Sequence, residues 1–258
     1  MMDAHAGWYS RARPIGTLGD DGSGIALGQS VGGAVGQMDS CSAWRFINPP
    51  VEFTKGILVD RNGERICNEE YYGGTLGQRI AARDGGRGFL IIDADLWRKA
   101  RAEVRRGNMI AFQTVSALLN LYVNRKKGAS LAELGARCGM PPGALETTLE
   151  KYNADARAGG SDLFEKSAEL LHSLGTPPFY AINCSLDSAL FPAPCITLGG
   201  LRVEGETGQV LRTDGARIEG LYAAGRNAVG VSSRSYMSGL SIADCIFSGR
   251  NAGRHAAR

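Results

Sequence analysis

Three stretches of this sequence carry side chains and backbone able to do chemistry. In SYMSGLSIADCIFSGRNAG (residues 235–253), two hydroxyls, Tyr236 and Ser238, immediately precede Gly239 and a helix N-terminus near Ser241. Helix N-termini stabilise negative charge, so a group that accumulates electrons is favoured beside them. In NEEYYGG (residues 68–74), two carboxylates, two phenols (Tyr71 and Tyr72) and a flexible glycine pair follow a turn. In GLYAAGRNAVG (residues 220–230), an apolar strand runs into a glycine turn that brings backbone N–H groups toward an anionic or polar ligand. Each stretch also has an ordinary structural explanation: a capped helix with a core tyrosine, a solvated turn over packed aromatics, and a strand–turn–helix junction.

Other chemistries lack raw material. The only histidines are His5, His172 and His255, two near the termini and one in a helical stretch, a poor basis for a Ser-His-Asp arrangement. Proton handling therefore falls to tyrosine, serine, arginine or carboxylates. The six cysteines contain no Cys-x-x-Cys pair, which argues against zinc, iron–sulfur and disulfide frameworks and reads as reduced thiols in a cytoplasmic protein. No metal site is expected. With 29 basic and 26 acidic side chains, net +3, nucleic acid is not an expected partner. No apolar run reaches the length of about 18 residues needed for a membrane span, and the N-terminus lacks a basic-then-apolar signal pattern.

The elements that position these stretches are legible in outline. At 258 residues, 43% hydrophobic and 21% charged, the chain has the profile of one to two folded domains. Its 36 glycines, about twice ordinary usage, lack a Gly-X-Y period and point to tight turns or close backbone approach. Gly16–Asp39 reads as a Gly/Asp turn and then a helix with a thin face at Ile25, Ala26, Gln29, Gly32 and Gly33. GILVDRNGERICNEE (56–70) reads as two short strands around Asn62-Gly63, a type I′ hairpin signal. Phe89–Asp93 is a buried strand before an amphipathic helix, and the period is helical from Ala111 to Gly159, with starts at Ser130-x-x-Glu133 and after Pro141-Pro142. A small strand meander and a closing helix follow. No internal repeat is visible.

Taken together and in order, these segments resemble the FAD-dependent oxidoreductase 2 family, which contains soluble fumarate reductases, succinate dehydrogenase flavoprotein subunits and 3-ketosteroid dehydrogenases. The strings that carry the resemblance are GDDGSGIALGQSVGGAVGQMD, GILVDRNGERICNEE, SLAELGARCGMPPGALETTLEKYNADARAGGSDLFEK, PPFYAI, TLGGLRVEGETGQVLRTDGARIEGLYAAG and SGLSIADCIFSGRNAG. The resemblance implies an α/β and α+β fold: a partial, Rossmann-like FAD-binding domain (residues 1–45 and 186–258) interrupted by a helix-rich substrate-binding cap (46–185). Family members open on a strand and a glycine-rich dinucleotide fingerprint that this chain lacks, so it resembles the C-terminal portion of a longer flavoprotein. A missing N-terminal segment thus joins the small-molecule substrate among the implied partners, and the chain alone is expected to bind FAD weakly.

Within the family, Ser235-Tyr236-Met237-Ser238-Gly239 is similar to the Ser-Tyr-x-Ser-Gly segment of 3-ketosteroid dehydrogenases, especially those acting at the 4,5 position. The resemblance implies an enzyme of steroid metabolism that moves a hydride between a carbon next to a ketone and flavin N5. Tyr236, Ser238 and Tyr72, preferred over Tyr71, would be catalytic, while Gly225, Arg226, Gly239, Leu240, Ser241 and Ile242 would lie along the FAD. An unperturbed phenol titrates near 10, so donating a hydrogen bond to a ketone is its natural role, with Ser238 or Tyr72 sharing the base role. Fumarate reductases carry a substrate-clamping histidine before the Thr-x-Gly-Gly motif, where this chain has Cys195-Ile196-Thr197. Arg98 falls near their proton-donating arginine. Two alternatives stay open, a dicarboxylate enzyme of the fumarate reductase kind and a non-catalytic truncated remnant. The electron acceptor is unspecified.

Overall fold

The computed structural model describes residues 2–159 and 161–258; Met1 and Gly160, which fall in the expected 1–45 and 46–185 segments, lie outside the described residues. The chain divides into two compact units, one of Met1–Ala43 with Pro194–Arg258 and the other of Trp44–Ala193.

The first unit begins with helix α1 (Met2–His5), strand β1 (Arg13–Pro14), helix α2 (Ser23–Ser30), and strands β2 (Val35–Gly36) and β3 (Cys41–Ala43). The second contains strand β4 (Ile57–Val59), helix α3 (Gly73–Ala81), strand β5 (Phe89–Ile92), helices α4 (Ala94–Arg105) and α5 (Ala111–Tyr122), strand β6 (Arg125–Gly128), helices α6 (Leu131–Cys138) and α7 (Ala144–Ala158), and strand β7 (Phe179–Asn183). The chain then returns to the first unit as β8 (Pro194–Thr197), β9 (Gly200–Leu201), β10 (Gln209–Leu211), β11 (Arg217–Tyr222) and helix α8 (Leu240–Ala256).

In the first unit the strands form three small sheets, ordered β1-β8-β3, β2-β9 and β10-β11. Strand β8 runs parallel to β1 and antiparallel to β3. Helix α2 is glycine-rich and intrinsically weak, so packing must hold it. Ile25 joins Leu201, Val210, Ile218, Ala223 and Ala228 in one buried cluster. A Cβ on Gly28 would fall 2.4 Å from the Leu201 side chain, so the thin face is what lets the helix press onto β9. The first segment and the last are thereby joined in one core. Gly32 and Gly33 lie beyond the helix, which stops at Ser30.

In the second unit a four-stranded antiparallel sheet, ordered β4-β5-β7-β6, lies among five helices. Ile57, Leu58, Val59, Leu90, Ile91 and Ile92 are fully buried, as continuous apolar strands covered on both faces must be. Asp93 caps α4 by accepting the Leu96 N–H at 3.0 Å. Helix α4 then buries Leu96, Ala100 and Val104, one residue per turn on a single face. Ser130 caps α6 by accepting the Glu133 N–H at 3.2 Å, while Glu133 reaches back to the Ala129 N–H at 2.7 Å.

Three local expectations fail for physical reasons. The Asn62-Gly63 turn is not type I′: Gly63 alone has positive φ (77°), and Asp60 Oδ1 accepts the N–H groups of Asn62 and Glu64. No second strand follows; on this side the pairing is a single isolated bridge between Val59 and Arg65, and the Leu58 N–H is taken by the Glu69 carboxylate at 2.8 Å. The helical period between 111 and 159 is interrupted by β6, whose Arg125-Lys126-Lys127 run suits an exposed sheet edge. His172 lies in irregular chain rather than a helix, its Nε2 3.8 Å from Asp95.

Candidate functional site

The C-terminal return builds the site from backbone conformations that favour glycine. Strand β11 ends at Tyr222 and the chain enters a 3-10 turn, Gly225–Asn227, with Gly225 at φ 55°. The Gly225 N–H donates to Ser248 Oγ at 3.0 Å, tying the turn to the middle of α8. A Cβ on Gly230 would overlap the Asp244 carboxylate at 2.0 Å, so glycine permits the chain to cross α8 closely there. Gly239 then takes φ 87° as the N-cap of α8, with no side chain capping the helix. The Leu240 N–H donates to the Met237 carbonyl at 3.1 Å; the following first-turn amides have no intrahelical partner and suit a ligand at this end of α8.

Tyr236 is half-buried beside that helix end, its hydroxyl 3.4 Å from Ser241 Oγ. It is neither a core tyrosine nor part of a cap. A cavity of about 200 Å³ is lined by Gly225, Arg226, Ser232, Tyr236, Ser241 and Ile242. Ser232 Oγ is buried there with no hydrogen-bond partner. Ser238 and Gly239 are exposed and Leu240 half-buried. The structure thus gathers four of the six expected cofactor residues around Tyr236 and leaves Ser238 at the rim.

Arg226 also borders a larger cavity of about 510 Å³, lined by the Asp20–Gly24 turn, Thr197 and Asn227. Its Nε lies 3.4 Å from Asp20 Oδ2, and its Nη1 donates to the Thr197 carbonyl at 3.4 Å. A Cβ on Gly24 would fall 2.6 Å from the Asn227 side chain. Sequence reasoning did not nominate Asp20, Thr197 or Asn227. The available signal was the GDDGSG run, whose density of glycine and aspartate marked a turn built for close approach.

Tyr72 belongs to the second unit. It is the N-cap of α3, its ring edge-on to Phe46 at 6.3 Å. Tyr71 and Tyr72 are 39% and 40% exposed, so exposure does not choose between them. Both line a cavity of about 350 Å³ with Phe46, Ile47 and Leu170. The neighbouring residues differ from expectation. Gly73 and Gly74 are buried in the first turn of α3 rather than flexible. Glu69 is buried, paired with Arg65 at 2.7 Å and Lys166 at 3.1 Å. Burial lowers the Lys166 pKa against the opposing pull of Glu69, and burial pushes the nearby Cys67 thiol up to about 12. Glu70 accepts the Ser167 N–H and hydroxyl at 2.6 and 2.8 Å. These carboxylates hold the loop together. Arg98 is exposed on α4 and pairs with Asp95 at 3.2 Å. No cluster able to hold a metal ion occurs among the described residues.

Comparison with known proteins matches residues 15–242 to the family described as FAD binding domain. The chain is 39% identical over 219 residues to the 3-oxo-5-alpha-steroid 4-dehydrogenase of Comamonas testosteroni, covering 85% of this chain and 40% of that protein. It is 28% identical over 260 residues to a fumarate reductase (cytochrome) of Shewanella frigidimarina, covering 98% of this chain and 41% of that one. The crystal structure of 3-ketosteroid-delta4-(5alpha)-dehydrogenase from Rhodococcus jostii RHA1, in complex with 4-androstene-3,17-dione, superposes with a TM-score of 0.82 at 32% identity, covering 100% of this chain and 50% of that one. The chain therefore spans about two fifths of the length of these two curated relatives.

Proposed function

The chain belongs to the FAD binding domain family, and from that premise we propose that it serves an FAD-dependent dehydrogenase of 3-ketosteroids acting on a CH–CH bond next to the ketone. The observation that carries this reading is the half-buried Tyr236 hydroxyl beside the N-terminus of α8 and Ser241, in a chain 39% identical over 219 residues to a 3-oxo-5-alpha-steroid 4-dehydrogenase.

The residues present fit the cofactor. Ser232 Oγ is a buried polar atom without a partner, and Gly225 and Gly239 hold left-handed backbone that lets the chain approach a flat ring closely. Gly225, Arg226 and the Gly239–Ile242 turn would hold the FAD. When bound, FAD supplies the hydride acceptor, and the first-turn amides of α8 suit the charge it gains. Tyr236 donates a hydrogen bond to the substrate ketone, which favours loss of the proton from the neighbouring carbon because negative charge grows on the oxygen. Ser241 Oγ, 3.4 Å away, orients the phenol. Within the first unit, Ser238 on the loop before α8 is the hydroxyl that would share the removal of that proton.

A dicarboxylate substrate is less well served. The stretch from Pro194 to Gly200, corresponding to the one where fumarate reductases place a clamping histidine, has none, and Arg98 is engaged at the surface. Helix α8 exposes Ile242, Ile246 and Phe247, an apolar face suited to cover by a further dinucleotide-binding segment. None of the six cysteines is in a disulfide, which suits the cytoplasm.

The test, in a full-length version that includes the dinucleotide-binding segment, is turnover of a 3-ketosteroid saturated at the 4,5 bond with an artificial electron acceptor. Tyr236→Phe keeps the ring and removes the donor, and should lower kcat by about 10²- to 10³-fold with flavin content unchanged. Tyr222→Phe, which loses only a hydrogen bond to the His255 carbonyl, should leave kcat unaltered. A Tyr236→Phe rate within about twofold of wild type would show the hydroxyl to be structural.

A further inference from the structure

Helix α5 turns an entirely apolar face outward. At about 100° per residue, Ala111, Phe112, Val115, Leu118, Leu119 and Tyr122 share one arc of roughly 120°, while Ala117 and Leu121 lie on the buried side. Phe112 is 78% exposed, and Ile110 (68%) and Val123 (63%) extend the face at both ends. Surface helices of soluble domains place charged and polar residues on such an arc; here the polar Gln113, Ser116 and Asn120 fall on the flank instead. The helix is fixed in place. Trp97 of α4 donates its indole N–H to the Leu121 carbonyl at 3.1 Å and stacks edge-on against Tyr122 at 5.7 Å.

Charge identifies what the face meets. From Val104 to Ala132 the chain carries Arg105, Arg106, Arg125, Lys126 and Lys127 and no acidic residue, although the whole chain is nearly balanced at 29 basic to 26 acidic. Arg105 and Arg106 precede the helix and Lys127 follows it on the edge strand β6, all three exposed, while the Lys126 ammonium is turned to the Arg137 carbonyl of α6. An apolar arc carrying an exposed Phe and Tyr, bracketed by cations, is the composition of helices that lie in the interface of anionic bilayers. A second copy of the chain fits poorly, because a two-fold contact would set this cationic segment against itself. No helix among the described residues is long and apolar enough to cross a membrane, so the contact is with the surface.

We propose that α5 is a peripheral membrane-docking helix, its Phe112–Val115–Leu118–Tyr122 face entering the headgroup–acyl boundary of an anionic bilayer while Arg105, Arg106 and Lys127 meet lipid phosphates. The proposal stands apart from the steroid reading. It is tested by sedimenting the purified chain with vesicles of phosphatidylglycerol mixed into phosphatidylcholine, and with vesicles of phosphatidylcholine alone. The chain should sediment with the anionic vesicles, less so at high salt, and weakly with the neutral ones. Phe112→Ser with Val115→Ser, and separately Arg105→Glu with Arg106→Glu, should each lower the partition coefficient by about tenfold or more. Thermal melts should stay unchanged, since these side chains are exposed. Absence of binding to anionic vesicles, or binding that neither pair alters, would overturn the proposal. So would a concentration-dependent dimer in sedimentation velocity that the serine pair dissolves, which would make the face a self-contact.

Discussion

Lys166 is a residue whose identity only the fold explains. Its ammonium is fully buried, donating to the Gly56 carbonyl at 2.7 Å and pairing with Glu69 at 3.1 Å. Arg65 bridges Glu69 and Asp162 in the same cluster, beneath the rings of Tyr152 and Phe164. Two cations and two carboxylates neutralise one another, so removing a single member leaves an uncompensated buried charge. Lys166→Ala should therefore cost about 3–5 kcal/mol of unfolding free energy, read by urea denaturation. A loss below about 1 kcal/mol would mean that water reaches the cluster. The string containing this lysine carries the family resemblance, but in the sequence SDLFEKSAEL reads as an ordinary charged stretch. Its role depends on partners about a hundred positions away. Tyr236 and Ser241 were legible because both sit within six residues of one helix start, where local chemistry is enough.

Elements were readable where local signals and tertiary packing agree. The FLII strand, the Ser130 cap, the helix start after Pro141-Pro142 and the closing helix all follow from such agreement. Strand β6 was not readable, since Arg-Lys-Lys-Gly has no strand pattern of its own and is drawn into the sheet by pairing with β7. The stretch from Ser161 to Thr176 has no regular structure and is held by side chains, chiefly Ser167 on Glu70 and the Lys166 N–H on Asp162. Burial raises the pKa of both carboxylates, but these donors, with Arg65 and Lys166, outweigh it and hold both below their ordinary values of 4.5 and 3.8. Because the folded-state values are depressed, their stabilisation is complete above the ordinary range and is lost as pH falls through it. The difference in urea midpoint between wild type and Glu70→Gln should be constant from about pH 7 to 5 and shrink below about pH 4.5. A difference unchanged down to about pH 3 would exclude this strap as a source of acid sensitivity.

At the scale of the molecule, an FAD-binding unit assembled from both ends of the chain and a cap carried between them is the organisation we propose for Met1–Ala43 with Pro194–Arg258 and for Trp44–Ala193. The family was legible from the order of several individually weak motifs. The cavity beside Asp20 and Thr197 was not, because those residues lie far apart in sequence and meet only in the fold. The chain carries no glycine-rich fingerprint after an opening strand, the element that places a helix N-terminus against the FAD pyrophosphate. These 258 residues alone should accordingly bind FAD weakly; tight stoichiometric uptake in a calorimetric titration would contradict that. The central claim is tested most directly by anaerobic mixing of the protein at saturating FAD with a 3-ketosteroid saturated at the 4,5 bond. The account predicts loss of the oxidised-flavin absorbance with formation of one equivalent of the 4-ene product, and no loss with succinate. Flavin that stays oxidised with the steroid but is reduced by succinate would contradict it.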